Sequence, residues 1–218
     1  MDGLRDTHLQ GDAVTEWLEA WLPEDGALTA ARARAAEVGV ACVDSTTGAA
    51  LRLLAAVNGA RSVVELGTGA GVSALWLLRG MRPDGVLTSV DPETEHQRLA
   101  RQSLVEAGYG TGRVRLIAGR ALEVLPRLSD AAYDLVFCDA VRSENADYLA
   151  AALRLLRPGG VVAFAGALAG GRVVDPSARD PETVALRELL KTVRETERLT
   201  PALLPVGGGL LAAVLGSS

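Results

Sequence analysis

The amino-acid sequence predicts an α/β domain built on a parallel sheet, and three observations carry that reading. From Arg61 onward, short β-branched runs alternate with helix-length amphipathic stretches, the pattern of successive βαβ units. The first of these runs empties into a glycine-rich turn, Gly67-Thr68-Gly69-Ala70-Gly71, which leads directly into a helix. The chain of 218 residues, 49% hydrophobic and 22% charged, is long enough to bury one full core, so a single domain is expected, with residues 1–58 as a helical cap and 59–218 as the core that carries the sheet.

In chain order, apolar spacing predicts three helical segments ahead of the sheet, near Asp12 to Leu22, Leu28 to Val38 and Thr46 to Val57, with Pro23 and Gly39 as punctuation. Trp17 and Trp21, four apart on the first of these, read as a core-facing stripe with Leu18 and Leu22, the alternative being a dimer contact or a cover over a ligand. Strands are expected at Ser62 to Leu66, Val86 to Val90, Val114 to Ala118, Tyr133 to Cys138 and Gly160 to Ala165, with helices in the gaps. A Gly/Ala/Pro-rich loop from Gly166 to Pro181, in which Gly170-Gly171 reads as a mobile stretch, precedes a charged amphipathic helix through about Arg198. Two further strands, Thr200 to Leu204 and Gly209 to Leu215, close the chain around a turn at Gly207-Gly208-Gly209.

A net charge of -5 with scattered arginines offers no general attraction for a phosphate backbone, so no nucleic-acid partner is expected. The N-terminal residues lack a basic region followed by an apolar stretch, and no run is long enough to span a membrane; the expectation is a cytoplasmic protein with no membrane partner. Cys42 and Cys138 sit among apolar neighbours without a CxxC partner and read as buried thiols.

The glycine turn alone suits either a dinucleotide or a methyl donor. Two residues separate them. A dinucleotide fingerprint needs a third small residue where Val72 stands, and Glu65, just before the first glycine, would repel a pyrophosphate but suits the ammonium group of a methionine moiety. The pattern therefore favours S-adenosylmethionine over NAD. About 20 residues beyond the turn, the second strand ends at Asp91, where an acidic side chain can accept from both ribose hydroxyls; the bland alternative is an N-cap, since Pro92 would begin the next helix. His96, on that helix, reads as solvent-facing. Gly119, Arg120 and Ala121 follow the third strand and are expected to flank the adenine. Asp139 ends the fourth strand and is expected beside the donor methyl, with helix capping as its alternative.

With these segments in order, the chain resembles the small bacterial relatives of the catechol and caffeoyl-CoA O-methyltransferases. The residues that carry the likeness are Val64-Glu65-Leu66-Gly67-Thr68-Gly69 with Ser73-Ala74-Leu75-Trp76-Leu77, Asp91 with Glu95-His96, Asp134-Leu135-Val136-Phe137-Cys138-Asp139-Ala140, Leu155-Leu156-Arg157-Pro158-Gly159-Gly160, and Gly170-Gly171-Arg172-Val173. The resemblance implies a Rossmann-like class I methyltransferase: a seven-stranded, mostly parallel sheet with one antiparallel strand, helices on both faces and extra N-terminal helices. It also implies a homodimer and methyl transfer to a hydroxyl of a small phenolic or catechol-like acceptor. By the same likeness, cofactor contacts fall on Val43, Glu65, Gly67, Thr68, Ser73, Asp91 and Pro92, and Gly69 of the glycine turn is expected to join them.

The likeness breaks at the catalytic half. Metal-dependent members hold a divalent cation with the Asp that ends the fourth strand and an Asp-Asn pair after the fifth. Here Asp139 is retained, but Ala163-Phe164-Ala165-Gly166-Ala167-Leu168 offers no oxygen-bearing side chain, so no divalent metal is expected. Where the family commonly has a lysine base, this chain has Arg142, which cannot give up its proton near neutral pH. The expected mechanism is metal-independent, with Asp139 as base or orienting group and Arg142 as a clamp for an anionic acceptor. The competing expectation is a weak or inactive protein that binds S-adenosylmethionine or S-adenosylhomocysteine without turnover.

Overall fold

The structure, a computed structural model, describes residues 11–216. Three helices come first, α1 (Gly11–Trp21), α2 (Gly26–Glu37) and α3 (Ser45–Val57). The sheet-forming part then runs β1 (Ser62–Leu66), α4 (Val72–Gly80), β2 (Val86–Asp91), α5 (Thr94–Glu106), β3 (Val114–Ala118), α6 (Ala121–Val124), β4 (Tyr133–Cys138), α7 (Asn145–Leu155), β5 (Leu156–Ala165), α8 (Pro181–Glu195), β6 (Leu199–Leu204) and β7 (Leu210–Leu215). The strands form one seven-stranded sheet in the order β3-β2-β1-β4-β5-β7-β6. Strands β1 to β5 pair in parallel, and β7 runs antiparallel to both β5 and β6.

Alternation along the strands divides the core in two. Val63, Leu87, Leu135, Phe137 and Ala163 point to one face, where α2, α3 and α4 cover them with Leu28, Leu51 and Trp76. Val64, Leu66, Val136, Cys138, Val162 and Phe164 point to the other and meet Tyr148, Leu149, Leu186 and Leu189 of α7 and α8. Burial on both faces explains why these strands read as continuous apolar runs rather than alternating ones. Helix starts are set by side chains: Asp25 accepts from the N–H groups of Ala27 and Leu28, Asp44 from that of Thr47, and Asp180 from that of Thr183.

Asp134 joins three segments at the lower end of the sheet. One carboxylate oxygen accepts from the backbone N–H groups of Arg61 and Ser62 at 2.5 and 2.8 Å, and the other takes the Arg157 guanidinium. Burial opposes its charge, but these donors outweigh burial and hold the carboxyl below its usual range.

Several expectations are adjusted. Strand β5 begins four residues before the expected Gly160; Tyr133 pairs with Leu156 and Leu135 with Val161, so Arg157 to Gly160 form a bulge inside the strand. Helix α5 starts at Thr94, after Pro92, and α8 ends at Glu195, short of Arg198. Residues Ala169–Val174 form a short helical turn within the expected loop, with Gly170 and Gly171 in the left-handed region. Trp17 and Trp21 do not face the core: they are 61% and 68% exposed and stack on each other with ring centres 6.4 Å apart.

Candidate active site

After β3 the chain returns to lay β4 on the free side of β1, so the order of strands reverses between those two strands. Open parallel sheets leave a crevice at the carboxyl ends of such strands. The turn after β1 occupies it. Gly67 has a φ of 94°, and a Cβ there would lie 2.2 Å from the carbonyl oxygen of Asp139; a glycine is required for the β1 and β4 tips to come together. The Asp139 N–H donates to Leu66 O at 2.8 Å and the Gly67 N–H to Val90 O at 2.9 Å, closing the crevice floor.

The cleft so formed encloses about 270 Å³, and its wall includes Val43, Gly67, Thr68, Gly69, Ser73, Asp91, Pro92 and Asp139, eight of the residues singled out in the sequence. Asp91 ends β2 almost fully buried. One of its oxygens accepts from the Gly69 N–H at 3.0 Å and the other from the Glu93 N–H at 2.9 Å, which leaves acceptor capacity on both. Asp91 does not occupy the N-cap position, which falls to Glu93. Beside it stands His96, with Nδ1 3.2 Å from Asp91 Oδ1. The expectation that His96 faces solvent is corrected: its side chain is 24% exposed and lines the cleft.

Glu65 lies one layer below the cleft wall and is fully buried. Ser73 Oγ donates to Oε1 at 2.6 Å and Ser89 Oγ to Oε2 at 2.5 Å. Thr68 Oγ1 lies 2.7 Å from Ser89 Oγ, within hydrogen-bond distance, and Gln97 Nε2 donates to Thr68 Oγ1 at 3.2 Å. This buried network fixes the Thr68 hydroxyl of the glycine turn and the Ser73 hydroxyl at the start of α4. Burial raises the Glu65 carboxyl to about 7, against the two serine hydrogen bonds and with the help of nearby Asp139 and Asp91.

Gly119, Arg120 and Ala121 sit beyond β3 but do not line this cleft; Arg120 turns away to Glu144 at 2.9 Å. Sequence reasoning missed the opposite wall, Val40, Ala41 and Cys42, which joins α2 to α3 and carries no motif. Cys42 is only half-buried, while Cys138 is fully buried, and burial pushes both thiols up.

A second chamber of about 410 Å³ shares Ala41, Cys42, Val43, Asp139 and Ala140 with the cleft and is completed by Asp44, Thr47, Arg142, Ala165, Gly166, Glu182 and Gly208. Burial pushes the Asp139 carboxyl up, and the Arg142 charge opposes that rise. Arg142 itself is taken: Nη1 donates to Glu182 Oε1, and a Cβ on Gly166 would stand 2.5 Å from Nη2, so the guanidinium fills the space a side chain there would use. The expected clamp for an anionic acceptor thus has its charge already matched.

The residues fit a nucleoside-bearing cofactor, with acceptors at Asp91 and glycine backbone open to a close approach. They do not fit a divalent cation. Ala165 and Gly166 bring no oxygen side chains to Asp139, Arg142 fills the adjoining space, and the described residues contain no grouping of three His, Cys, Asp or Glu side chains arranged to hold an ion.

Sheet order, glycine turn and strand-end carboxylates together define a Rossmann-like methyltransferase fold. A family profile described as O-methyltransferase matches residues 27–214, and the chain belongs to that family. It is 54% identical over 205 residues to the Mycobacterium tuberculosis protein named "Probable O-methyltransferase Rv1220c", covering 94% of this chain and 92% of that one. Among solved structures it is similar to a Corynebacterium glutamicum protein (TM-score 0.89, 35% identity, 95% of this chain and 97% of that one). It is also similar to the O-methyltransferase TomG of Streptomyces achromogenes, involved in tomaymycin synthesis and solved with SAM bound (TM-score 0.86, 32% identity, 94% and 96% covered).

Proposed function

We propose that the protein transfers a methyl group from S-adenosylmethionine to a hydroxyl of a small phenolic or catechol-like acceptor, without a divalent cation. The observation that carries this reading is the common wall of cleft and chamber, with Asp139 in it: a donor in one and an acceptor in the other meet at that carboxylate. Supporting it are family membership and the SAM bound to TomG.

In this reading Asp91 accepts from the ribose hydroxyls, with Pro92 and His96 beside it. Gly67, Thr68, Gly69 and Ser73 receive the methionine end, and Val43 packs against the cofactor from the cap. Glu65 acts through the serine and threonine it anchors and supplies negative charge beneath the bound cation. Gly119 and Ala121, which stand outside the cleft wall, are left without a cofactor contact in this reading. When bound, the cofactor supplies an electrophilic methyl on sulfur: the O–C bond forms as the S–C bond breaks, S-adenosylhomocysteine leaves as a neutral thioether, and the acceptor loses its proton. Asp139 orients the hydroxyl and takes that proton. Arg142, held by Glu182, keeps Asp139 more acidic than burial alone would leave it. Alignment of donor and acceptor supplies most of the acceleration.

The test is S-adenosylhomocysteine formation with a catechol acceptor in excess chelator. Turnover should persist and gain nothing from added magnesium. Activity that disappears in chelator and returns with magnesium refutes metal independence, and cofactor binding with no turnover on any phenol favours a binding protein.

A further inference from the structure

At the β6 edge of the sheet, α8, β6 and the helical turn Ala169–Val174 enclose a groove of about 520 Å³. It falls in the size range of small-molecule sites, about 300–1,000 Å³, and shares no wall residue with the cleft or the chamber. Its apolar wall includes Leu168, Val173, Val174, Leu190, Pro201 and Leu203, with Val174 81% and Leu203 44% exposed. No wall residue brings an aromatic ring, a hydroxyl, an amide or a carboxylate. The polar side chains are three cations, Arg187, Lys191 and Arg194, spaced along one face of α8. In a chain whose net charge is -5, three cations without an acid are a local departure.

The three cations have different tasks. Arg187 is spent on the fold: Nε donates to Val173 O at 3.0 Å, Nη1 to Ala178 O at 2.7 Å, and Nη2 to Arg172 O at 2.9 Å and to Asp175 O. It fastens the 172–178 segment to α8 and so sets the wall that Val173 and Val174 supply. Arg194 meets only Glu195, its neighbour in the chain, at 3.6 Å with both side chains mostly in solvent, a contact of little strength. Lys191 is the only lysine in the sequence, and its ammonium has no partner among the described residues. Two cations without a firm partner thus border an aliphatic wall, which complements a ligand with an apolar body and an anionic end. An extended peptide fits less well. Strand β6 is the sheet edge, but Pro201 has no N–H and interrupts the row of donors that strand addition needs.

We propose that this groove binds a single-chain aliphatic carboxylate, its hydrocarbon against Leu168, Val174, Leu190 and Leu203 and its carboxylate at Lys191 and Arg194. A wall with no ring to stack on and no neutral hydrogen-bonding side chain selects an aliphatic body over an aromatic or sugar-like one. Binding here is separate from methyl transfer, and a ligand in the groove leaves the donor cleft free.

The probe is decanoate below its micelle-forming concentration, titrated by calorimetry into the protein loaded with S-adenosylhomocysteine. Each methylene between hexanoate and decanoate should tighten binding about twofold to fourfold, and decylammonium should bind about tenfold more weakly than decanoate, or not at all. Lys191→Gln with Arg194→Gln, both on the exposed side of α8, should weaken decanoate about tenfold and leave decanol unchanged; binding of S-adenosylhomocysteine by the double variant shows that it is folded. Reductive methylation with isotopically labelled formaldehyde keeps the charge and marks Lys191 alone among the side chains, and its NMR signal should shift as decanoate binds. Displacement of S-adenosylhomocysteine by decanoate, equal binding of decanoate and decylammonium, an unmoved Lys191 signal, an affinity unchanged in the double variant, or no binding overturns the proposal. So does a dimer that takes up no decanoate and that Leu203→Asp converts to monomer, because the groove is then a contact between copies of this chain.

Discussion

Asp139 is where burial and charge act against each other. Burial favours the protonated acid and Arg142 favours the carboxylate, with burial the stronger. In its proposed role as base Asp139 works only when ionised, so activity should fall as pH drops through a value above the usual carboxylate range. Asp139→Asn should lower kcat by roughly 100-fold to 10,000-fold while S-adenosylhomocysteine still binds. Arg142→Gln removes the opposing charge, and the acid limb of the rate profile should move to higher pH; a limb that stays in place would show that Arg142 does not act through Asp139. Glu65 offers a separate readout. With burial holding its carboxyl at about 7, a cationic cofactor should draw it toward the ionised form. Binding near pH 6.5 should therefore release protons, seen as a dependence of the calorimetric heat on buffer ionisation enthalpy. Val43, by contrast, has no chemistry to announce it and entered through family likeness alone. His96 was hidden differently: nothing in its helix distinguishes it from a surface residue, and only the fold turns it toward Asp91.

At the level of elements, Asp134 fastens β4 to the start of β1 and to the bulge in β5. Asp134→Ala leaves two backbone N–H groups without their acceptor and should cost on the order of 1–3 kcal/mol, measured by denaturant unfolding at pH 7. The sign follows from the depressed carboxyl: its contribution is complete above the unfolded value near 3.8 and is lost as pH falls through the lower folded value. Wild type and variant should converge in stability at acid pH. Strand positions were legible because two buried faces demand unbroken apolar runs between breakers. The start of β5 was not, because Arg157-Pro158-Gly159-Gly160 has turn chemistry and only pairing with β4 shows it to be a bulge. The glycine turn after β1 was legible for the opposite reason, since a close approach of two backbones requires glycine at Gly67. The chamber has no such local signature, as its wall is assembled from residues spread between Ala41 and Gly208. The absence of metal ligands after β5 could be read from the chain, but the guanidinium that fills their place could not.

For the whole molecule, the stacked Trp17 and Trp21 on α1 stand out as aromatic surface left exposed among the described residues. The homodimer that the family likeness implies predicts a contact here: the wild type should sediment as a dimer and Trp17→Ser with Trp21→Ser as a monomer, whereas a monomeric wild type would refute the dimer and an unchanged dimer would refute α1 as its contact. Helical pattern alone could not settle this, because an apolar stripe looks the same whether it meets its own core or another chain. No helix among the described residues is long and apolar enough to cross a membrane. The route of the chain also sets an order in time. Every residue lining the cleft lies between Val40 and Val141, whereas the chamber waits for Glu182 and for Gly208 in the hairpin that leads into β7. As the chain emerges during synthesis, the parts that line the cleft are all present while parts of the chamber are still to come, so on the proposed reading acceptor selectivity is the last property the polypeptide acquires.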